Sequence, residues 1–456
     1  MTTCWILIME VSKSTIFYLA LVAFVSNFGF TFQLSNLTTV FKLSGANDNI
    51  LPLLWLIPPV TGMLIQPIIG YLSDKTTTSM GRRKPYIIGW GVLAGISFIL
   101  LPLNHSLIYV LFFTFFIDCS LNGGAECLRA LTADQFQNEG PRSQAFSAEA
   151  FFAGIGGVLG AYLPIAVQRI FMGEQNQSFF NFMPKNLGIS YVFSGLTFLF
   201  IIFIFFHKIN EEPIRLPKIN FSLLFKTLFN FFHGLKNIKT ELKVDKIFFQ
   251  ILSIHGISWM GIFIFWLYFS LCIAQENYHL PYMDTGNSYK ALHLASLDSS
   301  YYFSLYQYVS LMFTLFIFIC SRLLKAEKIH GIALLAGAVG MCLISFKTTV
   351  LSLCLASICI GIMWGSLIVI PYVVLLNFLP KENVGTCLGL FNMSITLPQV
   401  IGALLLPQLY KTVLQAHASY ALFLAGLLLL LSCVLWFRLF YMQNPRKILN
   451  VSTINH

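Results

Sequence analysis

The stretch Gln66-Pro-Ile-Ile-Gly70-Tyr-Leu-Ser-Asp74-Lys-Thr-Thr-Thr-Ser-Met-Gly81-Arg82-Arg83-Lys84-Pro85 decides the fold. It joins an apolar run that begins near residue 49 to a second apolar run that ends near residue 103. Each run is close to the roughly 20 residues that cross the hydrocarbon core of a bilayer as a helix. The connection packs Asp74, Lys75, Arg82, Arg83 and Lys84 into a few residues, and groups of this kind stay out of the hydrocarbon. The two runs therefore read as a transmembrane hairpin whose loop, rich in Lys and Arg, lies on the cytoplasmic side.

The same pattern repeats outward in both directions. The 456 residues are 57% hydrophobic and 10% charged, far below the charged fraction of about 25% typical of soluble domains. About twelve membrane spans are expected, at 15–40, 49–73, 85–103, 106–132, 145–170, 188–207, 246–274, 299–323, 329–346, 349–379, 384–412 and 418–441. This defines an all-α membrane protein. The N-terminus lacks a basic region followed by a short apolar core and a small-residue cleavage site, so the first helix is expected to serve as the insertion signal.

Loop cations set the orientation. The even-numbered connections and the C-terminal tail hold nineteen Lys and Arg residues against six on the opposite side, which places both termini in the cytoplasm. The formal charge of +10 follows from this topology and calls for no nucleic-acid partner. The longest polar interruption divides the chain into an N-terminal half of six spans at 1–206, a linker at 207–245 and a C-terminal half at 246–456. Within the linker, Leu224, Phe225, Leu228, Phe229, Phe232 and Leu235 alternate with Lys226, Lys236 and Lys239 in a pattern suited to a helix on the inner leaflet.

The fourth span carries the main functional signal. Asp118, Asn122, Glu126 and Arg129 project onto one face, within roughly 80° of arc. Ionisable groups at membrane depth are costly and mark pathways. A carboxyl group that meets and parts from a guanidinium changes its affinity for a proton, so Asp118 with Arg129 reads as a proton switch, with Glu126 either a participant or a neutraliser of Arg129. The competing reading is a static ion pair that orders the bundle.

A polar, uncharged solute offers donors and acceptors but no charge, so a site for it needs amides, carboxylates and aromatic rings. Gln33, Asn122, Glu126, Arg129, Gln307, Trp364 and Asn392 are the candidates. Glu149, near the start of the fifth span, is left open between an interfacial position and the pathway. His255 reads as a hydrogen-bonded packing residue, and Trp55, Trp259 and Trp266 as packing or lipid-facing aromatics. The ten cysteines show no metal-ligand spacing, and there is no nucleotide-binding glycine loop and no nucleophile with its partners. No metal, cofactor or enzymatic activity is expected. Small residues recur in Phe152-Ala-Gly-Ile-Gly-Gly-Val-Leu-Gly160 and Ser394-Ile-Thr-Leu-Pro-Gln-Val-Ile-Gly402, which is a packing signal for close helices.

The opening string resembles the loop between the second and third helices of major facilitator transporters, where an acid after a glycine precedes Gly-Arg-Arg. Gly70, Asp74, Gly81, Arg82 and Arg83 are the residues that match it. Further strings are similar to the sucrose/proton symporter group of the glycoside-pentoside-hexuronide branch. They are Gly29-Phe-Thr-Phe-Gln33-Leu-Ser, Leu54-Trp55-Leu with Gly62-Met-Leu-Ile-Gln66-Pro67, Asp118 to Asp134, and Leu390-Phe391-Asn392 with Pro398-Gln399. Trp266-Leu-Tyr-Phe, Ile273-Ala-Gln275 and the spacing of Glu126 to Arg129 are closer to bacterial than to plant members.

This resemblance implies a major facilitator fold and proton-driven import of a disaccharide such as sucrose or maltose. Asp118 matches the group's fourth-helix aspartate of proton coupling, Arg129 its partner arginine, and Gln33 a first-helix glutamine. The loop string is implied to bear on conformational exchange. Membrane-embedded thiols and short external loops fit a bacterial inner membrane, with a eukaryotic plasma or organelle membrane left open, and a monomer with a sugar, protons and lipid as its partners is expected. The plant acidic segment after the seventh helix aligns here with Phe269-Ser270-Leu271, so that segment has no coupling role in this chain. Uncoupled facilitation or export of a sugar or other polar solute, and a sensor that binds solute without moving it, stay open as alternatives.

Overall fold

The computed structural model describes residues 2–136, 138–172, 179–180, 182–212, 246–280, 289–320, 325–376, 378 and 384–442. Long apolar helices dominate, because a chain in hydrocarbon must satisfy its backbone groups within each segment. In order they are α1 (Thr2–Leu43), α2 (Leu51–Leu54), α3 (Ile57–Lys75), α4 (Lys84–Leu100), α5 (Leu107–Gln135), α6 (Glu139–Val167), α7 (Lys185–Lys208), α8 (Lys246–Tyr278), α9 (Tyr289–Cys320), α10 (Ala326–Phe346), α11 (Val350–Leu367), α12 (Ile370–Leu376), α13 (Val384–Thr412) and α14 (Ala418–Phe437). One two-residue antiparallel ladder, β1 (Phe179–Phe180) with β2 (Met183–Pro184), precedes α7. Among the described residues twelve helical spans are long and apolar enough to cross a membrane, as expected, and the chain is an integral, multi-pass membrane protein.

Two expected spans are broken within. The second divides at Trp55–Leu56, immediately before Pro58 and Pro59, and the tenth divides at Ile368–Val369, before Pro371. Proline has no N–H to continue the ladder and disfavours helical geometry in the residue before it. The eighth span starts ten residues earlier than expected, at Tyr289 rather than 299. Lys290, His293 and Asp298 interrupt the apolar run there without interrupting the helix.

The chain falls into two compact units. The first contains Met1–Asn47, Ile57–Leu228 and Ser296–Ser304, and the second Asp48–Leu56, Phe229–Ala295 and Leu305–His456. Relative to the halves expected from sequence, Asp48–Leu56 groups with the second unit and Ser296–Ser304 with the first. From residue 213 to 245 the expected amphipathic linker lies outside the described residues.

In the first unit α1 packs along α6 at very short range. A Cβ on Gly156 would stand 2.2 Å from the Phe24 carbonyl oxygen, and one on Gly160 2.1 Å from that of Phe28. Asn27 Nδ2 donates to the Ala153 carbonyl at 2.6 Å in the same seam. The small residues of the fifth span thus act in packing. Leu19, Ile69, Ile87, Leu128, Leu131, Ile202 and Phe205 form the apolar core beside it. In the second unit the largely buried α8 is flanked by α13 and α14.

Candidate functional site

Asp118 lies in the middle of α5 and is 2% exposed. Its Oδ2 accepts a hydrogen bond from Gln33 Nε2 of α1 at 3.1 Å. Among the described residues no cation stands within 4.0 Å of it. Asn122, one turn on, donates to the Asp118 carbonyl at 2.9 Å and to Thr61 Oγ1 at 3.4 Å, and accepts from Gln66 Nε2 at 3.0 Å. The absence of a side chain at Gly62 permits this approach of α3, since a Cβ there would meet Asn122 Oδ1 at 3.3 Å. Five polar side chains from three helices therefore form one buried to half-buried group.

Arg129 does not belong to that group. Its Nη2 pairs with Glu126 Oε2 at 2.7 Å, and the two side chains are 54% and 34% exposed. The expectation that Arg129 serves as the counter-charge of Asp118 is corrected here. A helical projection places them on one face, but eleven residues of rise separate them by about 16 Å along the axis. The stripe is polar throughout, yet it runs from a buried acid to an exposed ion pair. Glu126 acts as the partner of Arg129.

Glu149 of α6 is buried and accepts a hydrogen bond from Thr132 Oγ1 of α5, so its carboxylate points into the unit.

The five loop residues converge. Arg83 Nη2 pairs with Asp74 Oδ1, and its Nη1 donates to Ser73 Oγ at 2.6 Å. Arg82 holds Asp134 at the end of α5 in a forked contact, at 2.7 and 3.2 Å. Glu211, just beyond α7, accepts from the backbone N–H groups of Arg83 and Lys84 at 2.9 and 2.8 Å. A carboxylate here satisfies donors that a helix start leaves open and meets the positive end of the α4 dipole. Gly81 has φ +96°, and a Cβ on it would lie 2.5 Å from the Glu211 carboxyl group. Gly70 abuts α5, with the Glu126 Cγ 3.9 Å from where its Cβ would be.

The second unit holds the remaining candidates. Trp364 of α11 makes edge-to-face contacts with Trp259 and Trp266 of α8, both at 5.4 Å, and the latter two meet at 6.0 Å. Trp55 is buried edge-on against Phe263 at 6.1 Å. These indoles pack inside the unit and do not face lipid. Asn392 is exposed and accepts from the Tyr372 hydroxyl at 2.9 Å, while Gln307 is half-buried on α9.

His255 is a packing residue with both nitrogens committed. Trp259 Nε1 donates to its Nε2 at 2.9 Å, so Nδ1 carries the hydrogen and donates to Ser394 Oγ at 2.9 Å. Ser394 in turn donates to the Phe391 carbonyl at 2.6 Å, and the imidazole stacks on the Phe391 ring at 4.1 Å. No group of three or more His, Cys, Asp or Glu side chains suited to a metal occurs among the described residues.

Sequence reading missed Gln66, Thr61 and Glu211 as parts of these networks. An amide inside an apolar run was the available signal for Gln66; Glu211 carries none.

Residues 37–241 match the family described as MFS/sugar transport protein, and residues 251–454 match Major Facilitator Superfamily. Together the two matches take in most of the chain, which belongs to the major facilitator superfamily. It is 25% identical over 302 residues to a sucrose transport protein of Oryza sativa subsp. japonica, covering 59% of this chain and 57% of the relative. A sucrose transport protein of Arabidopsis thaliana is 29% identical over 171 residues, 33% of each chain. The chain thus spans little more than half the length of the rice relative it matches. Among solved structures, the nucleoside transporter NupG aligns with TM-score 0.66 and 11% identity over 93% of this chain and 99% of that one. A bacterial homologue of the human lysosomal transporter Spinster aligns with TM-score 0.67 and 12% identity over 97% and 98%. At these identities the likeness speaks for the fold.

Proposed function

We propose that the chain is a sugar transporter and not an enzyme, which imports a disaccharide such as sucrose or maltose together with protons by alternating access. The observation that carries this reading is Asp118, a buried carboxyl group held by the Gln33 amide with no cation in ion-pair range among the described residues. A buried carboxylate without a counter-charge is costly, so a protein that keeps one at membrane depth has a use for its proton. The sucrose transport proteins among its relatives support a disaccharide as the co-substrate.

In this mechanism Asp118 binds the proton. Gln33, Asn122 and the half-exposed Arg129 in the first unit, and Gln307, Trp364 and Asn392 in the second, are the residues offered to sugar hydroxyls and ring faces. Gly70, Asp74, Gly81, Arg82 and Arg83 act in conformational exchange through the network that ties α3, α4 and α5 together. Both termini lie in the cytoplasm and the setting is a bacterial inner membrane, where the protein works as a monomer.

The test is uptake of labelled sucrose, maltose and glucose by proteoliposomes with and without an imposed pH gradient. Accumulation of a disaccharide that needs the gradient and is lost in Asp118→Asn is the expected result. Accumulation that survives Asp118→Asn removes Asp118 from coupling, and uptake indifferent to the gradient leaves facilitated passage.

A further inference from the structure

Gln33 spends one donor on Asp118 and keeps its Oε1 without a hydrogen-bond partner in the protein interior. Asp118 itself uses Oδ2 alone among its side-chain oxygens. Across from them on α7, the hydroxyl of Tyr191 is fully buried and also has no hydrogen-bond partner. The Tyr191 ring is fixed edge-on to Phe32 at 4.7 Å and tilted against Phe98 at 6.0 Å, and Phe32 is the residue before Gln33. The phenol stands close enough to Asp118 for the charge of the carboxylate to act on it.

A buried hydroxyl is rarely left unspent, because removing it from water without a partner costs free energy. A buried carboxylate with no cation needs donors in the state in which it is charged. The two needs are complementary. Resting on the reading of Asp118 as the proton-binding group, we propose that Tyr191 is a positioning residue of the coupling site, whose O–H donates to the charged Asp118 carboxylate and is released when Asp118 takes a proton. Gln33 then holds the carboxyl group in both states, and Tyr191 in one.

The surroundings leave few other groups to do this. Among the described residues no charged side chain of any helix acts on Asp118. Besides Tyr191, the titratable group that feels it is the thiol of Cys119 on its own helix. From α1 it receives the Gln33 amide.

Tyr191→Phe removes one oxygen and keeps the ring contacts, so it separates donation from packing. Initial rates of labelled sucrose uptake by proteoliposomes are measured against external pH for the natural protein, Tyr191→Phe, Asp118→Asn and the double variant. Carboxyl infrared difference spectra of a pH titration, recorded without sugar, supply a second readout that does not depend on the choice of substrate. Loss of a donor to the charged form is expected to move the half-point of uptake and the Asp118 carboxyl band to higher pH by about one unit. The rate at low pH is expected to stay within about twofold, because the protonated group does not use the bond.

Should Tyr191→Phe titrate like the natural protein in both readouts while Asp118→Asn abolishes gradient-driven uptake, Tyr191 is a packing residue and Asp118 keeps its role. Gradient-driven accumulation that persists in Asp118→Asn overturns the proton-binding role of Asp118, and the inference with it.

Discussion

Replacing Gly81 by alanine tests the construction of the loop network more sharply than deleting any of its charges. At φ +96° an L side chain is strained, which costs about 1 to 2 kcal/mol on its own. The new Cβ also falls 2.5 Å from the Glu211 carboxyl group, so that group must leave its place. Displacement breaks its two hydrogen bonds to the Arg83 and Lys84 amides. Bonds to a charged acceptor contribute about 1.5 to 3 kcal/mol each when buried, and half-burial here favours the lower end, for about 2 to 3 kcal/mol together. Gly81→Ala should therefore destabilise by about 3 to 5 kcal/mol.

Glu211→Ala removes the same bonds without the strain and should cost about 2 kcal/mol, since water reaches part of the helix start. Because both variants forfeit the same bonds, the double variant should cost about 2 kcal/mol less than the sum of the two. Reversible unfolding in mixed detergent micelles titrated with dodecyl sulfate reads all four corners of this cycle. Additive effects, or a Gly81→Ala protein as stable as the natural one, would refute the view that Glu211 holds the start of α4 through the space beside Gly81.

Other expectations concern separate seams. In His255→Phe the Trp259 N–H loses its acceptor inside the second unit, and the same unfolding assay should show a loss of about 1 to 3 kcal/mol. The pH profile of uptake should not move in that variant, because the imidazole is fully engaged in packing. Gly160→Ala forces a methyl group against the Phe28 carbonyl, which cannot rotate away, so about 2 to 3 kcal/mol should be lost and α1 crosslinking to α6 should weaken. Arg129→Gln breaks an exposed pair worth at most about 1 kcal/mol and should leave the infrared titration of Asp118 unchanged, a direct check that the two groups are not partners.

The spans were legible because hydrocarbon demands long apolar helices, and that demand writes itself into composition. Their interruptions at Trp55–Leu56 and Ile368–Val369 were not, since apolarity continues across them and prolines 58, 59 and 371 were the sole sign. The loop string named residues that cluster, with Asp74 paired to Arg83 and both arginines reaching Asp134, but it omitted Glu211, which is brought there by the return of α7. On α5 the helical period correctly placed Asp118, Asn122, Glu126 and Arg129 on one face. Period says nothing of distance along the axis, and the pairing of Arg129 with Glu126 follows from rise. Tyr191 carries no mark in the sequence, because one tyrosine among aromatic residues looks the same whether its hydroxyl is used or not.

The contact between Glu211 and the start of α4 spans 128 residues of chain. At a synthesis rate of about 5 to 20 residues per second, the hairpin of α3 and α4 exists for roughly 6 to 25 seconds before its carboxylate partner has been made. Through that interval the amides of Arg83 and Lys84 have only water to bond, and Gly81 has empty space beside it. The loop network is thus a late closure in biogenesis, completed when the sixth span has entered the bilayer. A nascent chain truncated before Glu211 should already hold its helices in the membrane and still leave this corner unlatched.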